Sequence, residues 1–199
     1  MSARARLWPL VVLALLPPGC ASMRSGFRTV PPGVRTIGNA YTVEPSMTWS
    51  RSFLSTLNPR FEMWTIDGTG LETLRFYTGV PDGDPLISGG ANQERRPRFR
   101  AAMTTAEVGE MVAESIFGSR YPPRNVRPAP FGGTDGFRFE VNYASTSGVK
   151  REALVAGAVL DKRLYVIVYE GTALYHFGKY RDEVEHILAS VRLKPPATR

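Results

Sequence analysis

Few side chains in this 199-residue sequence are of the types that most often do chemistry in proteins. It has two histidines, His176 and His186, and one cysteine, Cys20. A metal site needs several histidine, cysteine or carboxylate ligands close together, and a single cysteine cannot form a disulfide within the chain. The sequence therefore predicts no catalytic constellation, no metal site and no cofactor.

His176 is the histidine with the more suggestive neighbours. It lies in the segment "GTALYHFGKY" among aromatic residues, and a possible pocket would consist of Tyr175, His176, Phe177 and Tyr180. With a carboxylate and a hydroxyl beside it, the ring could serve as a general base in a hydrolase. The alternative is that these aromatic residues fix the start of the last helix. His186 is interpreted as a solvated surface residue.

Two further patterns have both a chemical and a structural interpretation. Ser147 and Lys150 match S-x-x-K but fall in a hairpin turn, where the motif has no catalytic context. Asp67, Asp82 and Asp84 could bring oxygen ligands for calcium to one end of a hairpin. The default interpretation of these Asp-Gly segments is ordinary turn chemistry.

The chain is basic, with 25 Lys and Arg against 18 Asp and Glu and a net charge of +7. The densest basic segment, "ERRPRFR", could bind lipid headgroups or another polyanion, or it could be a solvated loop. Nucleic acid is not expected as a partner, because no recognition motif accompanies the charge. The candidate patch consists of Arg95, Arg96, Arg98 and Arg100.

The segment before Cys20 is typical of an export signal. Arg4 and Arg6 precede an apolar run, Leu7–Leu16, and "PPG" follows it. The run matches the length of a signal-peptide hydrophobic region and is about half of what a membrane span requires.

Gly19 and Cys20 resemble the cleavage site of a bacterial lipoprotein signal. The resemblance implies cleavage before Cys20, acylation of its sulfur and a lipid anchor in the bilayer. Ala21 follows the cysteine where an aspartate would retain the protein in the inner membrane, so the implied location is the periplasmic face of the outer membrane. Cleavage after Ala21 would instead give a soluble periplasmic protein.

The expected organisation is a signal peptide over residues 1–19, a lipidated cysteine and flexible tether over 20–36, one globular domain over 37–194, and a tail over 195–199. The tether is polar and contains Pro-Pro-Gly. The length of the remainder suits one domain with a substantial core.

Local patterns predict the elements of that domain. Asp67-Gly68 between two apolar runs indicates a hairpin over 61–80, after a short strand near Tyr41. Thr104 and Glu107 form a capping box that opens a helix. "GFRFEVNY" alternates as a half-buried strand, and two more strands and a final helix over 177–193 follow it.

Because tight turns join neighbouring strands, the sheet must be antiparallel. The predicted fold class is α+β, an antiparallel sheet with flanking helices. The second half of the chain resembles the PsbP-like α/β/α fold. Residues 40–193 also resemble uncharacterised proteobacterial lipoproteins through "WT.DG..L..L.F..G..DG.PL", starting at Trp64, and "FGG..GF.F", starting at Phe131.

No activity comes with these resemblances. The expected function is that of a lipid-anchored envelope lipoprotein with a non-catalytic binding or accessory domain, possible partners being the bilayer and another envelope protein. The alternative is a periplasmic hydrolase that uses His176 with a nearby carboxylate.

Overall fold

A computed structural model describes residues 26–53, 60–89 and 93–194 of the chain. The predicted signal peptide, Cys20 and the tail over 195–199 lie outside these residues. Within the described ranges, no helix is long and apolar enough to cross a membrane.

Most of the described chain is β-structure joined by short turns. Three α-helices and a short 3-10 helix accompany it: α1 (Thr105–Phe117), α2 (His176–Lys179), α3 (Arg181–Ser190) and the 3-10 turn Gln93–Arg95. In chain order the strands are β1 (Phe27–Val30), β2 (Arg35–Ile37), β3 (Tyr41–Val43), β4 (Trp49–Ser52), β5 (Phe61–Thr65), β6 (Glu72–Pro81), β7 (Arg124–Phe131), β8 (Thr134–Ala144), β9 (Lys150–Leu160), β10 (Arg163–Thr172) and β11 (Arg192–Leu193).

Eight strands form one sheet in the order β1-β4-β5-β6-β10-β9-β8-β7, and every neighbouring pair is antiparallel. A smaller sheet, β11-β3-β2, lies beside it. With helices flanking an antiparallel sheet, the structure confirms the predicted α+β class.

The main sheet is covered on both faces, and alternate residues of β10 show this directly. Tyr165, Ile167 and Tyr169 enter the core cluster that contains α3 residues, whereas Leu164, Val166 and Val168 enter the cluster that contains α1 residues. β10 is therefore covered on both faces, as its apolar run predicted. Each fully buried Val, Leu or Ile side chain stabilises the fold by about 1.5–3 kcal/mol.

The start of the domain differs from the prediction. Phe27–Val30 pairs with Trp49–Ser52, and β2 follows, so the tether predicted over 20–36 is wrong from Phe27 onward. Three of the four β1 residues are exposed. An edge strand of this kind has no inward-facing apolar alternation, and for that reason it resembled a linker.

Two other segments also differ. The proline-rich segment after α1 is the edge strand β7, where Pro128 and Pro130 are tolerated because one side of an edge strand needs no partner. The predicted last helix is divided at Tyr180 into α2 and α3, and its C-terminal residues form β11.

The antiparallel register gives the main sheet two distinct ends. We call the end where β6 ends the proximal end; it includes the Gly83 turn and the β9–β10 turn. The opposite, distal end carries the β5–β6 turn, the β8–β9 turn and the β10–α2 connection. A strand of about ten residues separates the two ends by about 34 Å.

Candidate functional site

Five polar side chains meet at the distal end of the sheet. Asp67 comes from the β5–β6 turn, Thr172 from the end of β10, and His176, Lys179 and Tyr180 from α2 and its C-terminus. The antiparallel topology brings the two segments together, since Gly171 of β10 pairs with Glu72 of β6.

A buried carboxylate shapes the turn that carries Asp67. Glu72 is fully buried, and its Oε1 accepts hydrogen bonds from Thr65 Oγ1 at 2.7 Å, from the Asp67 amide at 3.0 Å and from the Ile66 amide. Thr65 Oγ1 in turn accepts from the Gly68 amide at 2.9 Å. Because these bonds satisfy the turn's own amides, the backbone at Asp67 is held in one position.

The Asp67 carboxylate joins this turn to α2. Lys179 Nζ and Tyr180 OH each donate to Asp67 Oδ2 at 2.7 Å. The hydrogen bond from Lys179, followed by that from Tyr180, lowers the pKa of Asp67 below its ordinary value of 3.8. The same contact raises the pKa of Lys179. At neutral pH the cluster therefore contains an ion pair.

His176 lies between a hydroxyl and this carboxylate. Its Nδ1 is 2.8 Å from Thr172 Oγ1, and its Nε2 is 3.7 Å from Asp67 Oδ2. A hydroxyl, an imidazole and a carboxylate are the groups that a hydroxyl nucleophile requires. Here Asp67 Oδ2 already accepts two bonds, and Thr172 Oγ1 also accepts from the His176 amide at 3.3 Å. These contacts hold the β10–α2 connection in place.

Apolar side chains project from the turns around this cluster. Leu174 is 96% exposed and Tyr175 is 59% exposed, and the neighbouring turns expose Leu71 and Val149. Two backbone hydrogen bonds of 3.0 Å connect the turns, from Thr172 N to Leu71 O and from Ala173 N to Lys150 O. We call Leu71, Val149, Leu174 and Tyr175 the distal apolar patch.

The predicted pocket residues take different positions in the structure. Phe177 and Tyr180 are buried in the core on the α3 side, whereas Tyr175 is exposed and His176 is half-buried. None of the four cavities described in the structure is lined by any of them. His186 is exposed on α3.

The largest of those four cavities is an open cleft of about 600 Å³ at the proximal end of β8 and β9. Met103, Val108, Phe137 and Val159 contribute its apolar lining, and Asp135 lies at its edge. Sequence reasoning missed this cleft because its lining comes from four segments that no local pattern connects.

The arginine segment packs against the turn that follows β6. Arg96 Nη1 donates to Ile87 O at 2.8 Å, and Arg98 Nη1 donates to Gly83 O at 3.0 Å. Arg95, Arg98 and Arg100 are exposed, Arg96 is half-buried, and Phe99 between them is fully buried. The segment is therefore a structured loop whose exposed arginines lie at the proximal end.

The three aspartates considered for calcium do not form one site. Asp67 is at the distal end, whereas Asp82 and Asp84 follow β6 at the proximal end. There Asp82 Oδ1 accepts from the Ala101 amide at 2.8 Å and Asp84 pairs with Arg60 at 2.7 Å. Across the described ranges, no group of three or more His, Cys, Asp or Glu could hold a metal ion.

A second polar network lies on the α1 side of the sheet and was not predicted from the sequence. Glu170 accepts from Tyr143 OH at 2.6 Å and from Thr73 Oγ1 at 3.2 Å, and it pairs with Arg75. Arg151 Nε donates to Tyr143 OH at 3.0 Å. Burial, followed by the charge of Glu170, raises the pKa of Tyr143. Charged residues at the ends of apolar strands are the one feature that could have indicated it.

Comparisons with known proteins give structural similarity and no sequence match. No protein-family model and no curated protein matches the chain. The solution structure of cyanobacterial PsbP (CyanoP) from Synechocystis sp. PCC 6803 is 10% identical with a TM-score of 0.41, covering 85% of this chain and 83% of that chain. The crystal structure of LpqN, involved in cell envelope biogenesis of Mycobacterium tuberculosis, is 11% identical with a TM-score of 0.37, covering 85% and 92%.

The chain is similar in structure to both of these proteins, and at this level the similarity carries no argument about function. Membership of the proteobacterial lipoprotein family stays a prediction.

Proposed function

We propose that this protein is an envelope lipoprotein, anchored through Cys20, whose domain binds a partner protein and does not itself catalyse a reaction. The observation that carries this proposal is the distal apolar patch. In it, Leu174 is 96% exposed and Tyr175 is 59% exposed. Contact of apolar surface with water is unfavourable in free energy, and association with a partner would bury that surface.

The contacts below the patch favour binding. Asp67, Thr172, His176 and Lys179 fix the segment that carries Leu174 and Tyr175. A segment that is already ordered loses little conformational freedom on association, so more of the contact energy appears as affinity. Tyrosine is also enriched among the residues that dominate interface energies.

Partner binding is tested by a charge placed in the patch. We expect wild-type protein, cross-linked in intact cells and extracted in detergent, to retain one envelope protein in stoichiometric amount, and the double variant Leu174→Asp/Tyr175→Ser to lose it. Val126→Asp, at an exposed apolar residue of the far edge strand β7, is the matched control. Equal capture by the double variant, or no stoichiometric partner with wild type, would contradict the proposal.

The anchor is tested at the N-terminus of the mature protein. We expect mass spectrometry to find a chain that begins at Cys20 and carries acyl groups, since each buried methylene contributes about 0.8 kcal/mol and several chains make attachment effectively permanent. Cys20→Ser should abolish acylation without altering the fold. An unmodified chain beginning at Ser22 would instead establish a soluble periplasmic protein.

One observation favours the second candidate, a hydrolase. Thr172 Oγ1 lies 2.8 Å from His176 Nδ1, with Asp67 on the other side of the ring. A positioned general base contributes about 10²–10⁴-fold to a rate. If the protein is a hydrolase, the His176→Gln and Thr172→Val variants should each hydrolyse an ester or amide at a rate at least about a hundredfold below that of wild type. Equal rates in wild type and both variants would eliminate this candidate.

A further inference from the structure

We propose that a cavity beside the edge strand β7 binds a phosphate monoester, with Arg127 and Arg138 as the residues that hold it. The cavity has a volume of about 450 Å³, and both arginines line it together with Asn125 and Glu140. That volume lies within the range of small-molecule sites, about 300–1,000 Å³. The site is separate from the distal apolar patch and does not depend on the proposed anchor.

Two arginines lie opposite each other in this part of the sheet. Arg127 of β7 and Arg138 of β8 are register partners, so their side chains leave the sheet on the same face with their Cβ atoms about 5 Å apart. Like charges in directly opposed positions destabilise a strand pair. An anion bound between the two guanidinium groups would remove that cost.

A carboxylate of α3 compensates Arg138 but not Arg127. Both Nη groups of Arg138 donate to Glu185, and the bond from Nη1 to Oε2 is 2.7 Å. The hydrogen bond from Arg138 is the main cause that lowers the pKa of Glu185 below 4.5, and the charge of Arg127 contributes. Arg127 is therefore close to this ionised carboxylate, yet it forms no ion pair with any residue that the structure describes.

The whole cluster carries more positive than negative charge. Arg181 of α3 pairs with Glu140 at 2.7 Å. Arg124 is the register partner of Glu140 and forms no ion pair within the described ranges. Four arginines thus accompany two glutamates. A phosphate monoester carries about −1.5 to −2 charges at pH 7, which matches this excess better than the single charge of a carboxylate.

An irregularity in β7 leaves the cavity open to solvent. The pairing of β7 with β8 shifts register between Arg124 and Arg127, and Asn125 within this bulge has a φ of 56°. Asparagine adopts such a backbone conformation more readily than most residues, and a bulge redirects the side chains around it. Asn125 and Arg127 are both exposed, so a ligand from solvent can reach them.

The arginines have the hydrogen-bond donors that a phosphate needs. A guanidinium group has five N–H donors, and Arg138 therefore keeps donors beyond the two bonds that Glu185 accepts. Arg127 has its donors directly across the strand pair. Arginine binds phosphate oxygens through two parallel N–H bonds, which adds geometric specificity to the attraction between charges.

The site is tested by calorimetric titration of the full-length protein, purified in detergent, with glycerol 3-phosphate at neutral pH and low salt. We expect one monoester to bind per chain. Dimethyl phosphate is a diester with a single negative charge, and we expect it to bind at least about tenfold more weakly. The affinity for the monoester should fall as sodium chloride is added, because the cluster is partly exposed and salt screens its charges.

Substitutions separate this site from general basic charge. Arg127→Gln should weaken binding of glycerol 3-phosphate at least about tenfold, and Arg127→Lys, which keeps the charge but not the paired donors, should lie between it and wild type. The matched control is Arg28→Gln, at an exposed arginine of the opposite edge strand β1, and it should bind as wild type does.

Thermal unfolding shows that a loss of binding is not a loss of folding. Without ligand, Arg127→Gln should unfold at a temperature no lower than wild type, because one of two opposed like charges is removed. Glycerol 3-phosphate should raise the unfolding temperature of wild type and of Arg28→Gln, since a ligand that binds the folded state stabilises it. It should have little effect on Arg127→Gln.

The source of the phosphate is distinguished with dihexanoyl phosphatidate, which carries the same monoester group on two short acyl chains. Tighter binding of this lipid than of glycerol 3-phosphate would assign a lipid headgroup as the ligand. Equal affinities would assign a free phosphate ester.

Two results would overturn the proposal. Equal affinity of wild type and Arg127→Gln for the monoester, or no binding by either, would leave the arginines with the sole role of preventing other strands from pairing with β7. A tetraglutamate peptide that binds more tightly than either monoester would instead assign the cavity to an acidic protein partner.

Discussion

Asp67 and Lys179 are 112 positions apart in the chain, and their carboxylate and ammonium groups meet at 2.7 Å. The contact joins the turn between β5 and β6 to α2, next to the exposed Leu174 and Tyr175. Both the candidate hydrolase groups and the distal apolar patch therefore depend on the position of one carboxylate.

Asp67→Asn is expected to lower stability in a pH-dependent way. The Lys179 hydrogen bond lowers the folded-state pKa of Asp67 below 3.8, so its contribution is present above 3.8 and is lost as the pH falls through the folded-state value. We expect a loss of about 1 kcal/mol at pH 7. In urea denaturation the difference from wild type should decrease below a pH of about 4.

Asp161→Asn is the control for this measurement. Asp161 lies in the exposed β9–β10 turn at a φ of 50°, which asparagine also adopts readily. A difference between Asp67→Asn and wild type that stays constant at low pH would show that the carboxylate charge does not stabilise the contact.

Glu183→Gln is expected to be strongly destabilising. Glu183 is buried, and it accepts hydrogen bonds from the amides of Ser46 and Met47 at 3.0 and 3.1 Å and from Trp49 Nε1 at 3.2 Å. A glutamine would place its amide NH2 group opposite other hydrogen-bond donors. We therefore expect the free energy of unfolding to fall by about 2–4 kcal/mol in urea denaturation. Asp182→Asn, at the exposed neighbouring residue, should change stability by less than about 1 kcal/mol.

Gly157→Ala is expected to disrupt the middle of the sheet. Gly157 lies opposite Phe137 on β8 and Val166 on β10. An added Cβ would be 2.8 Å from Phe137 Cζ and closer still to the Tyr165 carbonyl oxygen. We expect a loss of about 3 kcal/mol in thermal unfolding. Gly178→Ala has open space around the new methyl group, and a comparable loss there would show that the close contacts are not the cause.

Thr104→Ala is expected to weaken the start of α1. The Thr104 hydroxyl accepts from the Glu107 amide, and the Glu107 carboxylate accepts from the Thr104 amide at 2.7 Å. Loss of this capping box should cost about 1 kcal/mol in chemical denaturation. Thr105→Ala, one position later in the helix, keeps the box, and equal losses in the two variants would refute the role of the cap.

The sequence by itself determined the elements whose signals are local. The capping box at Thr104 placed the start of α1, the Asp67-Gly68 turn placed the β5–β6 hairpin, and the alternation from Phe137 to Tyr143 placed β8. The uninterrupted apolar run of β10 identified a strand covered on both faces. Each signal lies within about ten residues, and the physics that produces it acts over the same range.

Only the tertiary structure determined the edges of the sheet and the composition of the candidate site. The edge strands β1 and β7 are exposed along most of their length, so burial left no periodic pattern in their sequences. His176 was identified from its neighbours, but its partners Asp67 and Thr172 were not. The hydrogen bond between Asp67 and Lys179 joins residues that are 112 positions apart. Such a contact depends on strand order and register, and backbone pairing over the whole sheet sets both.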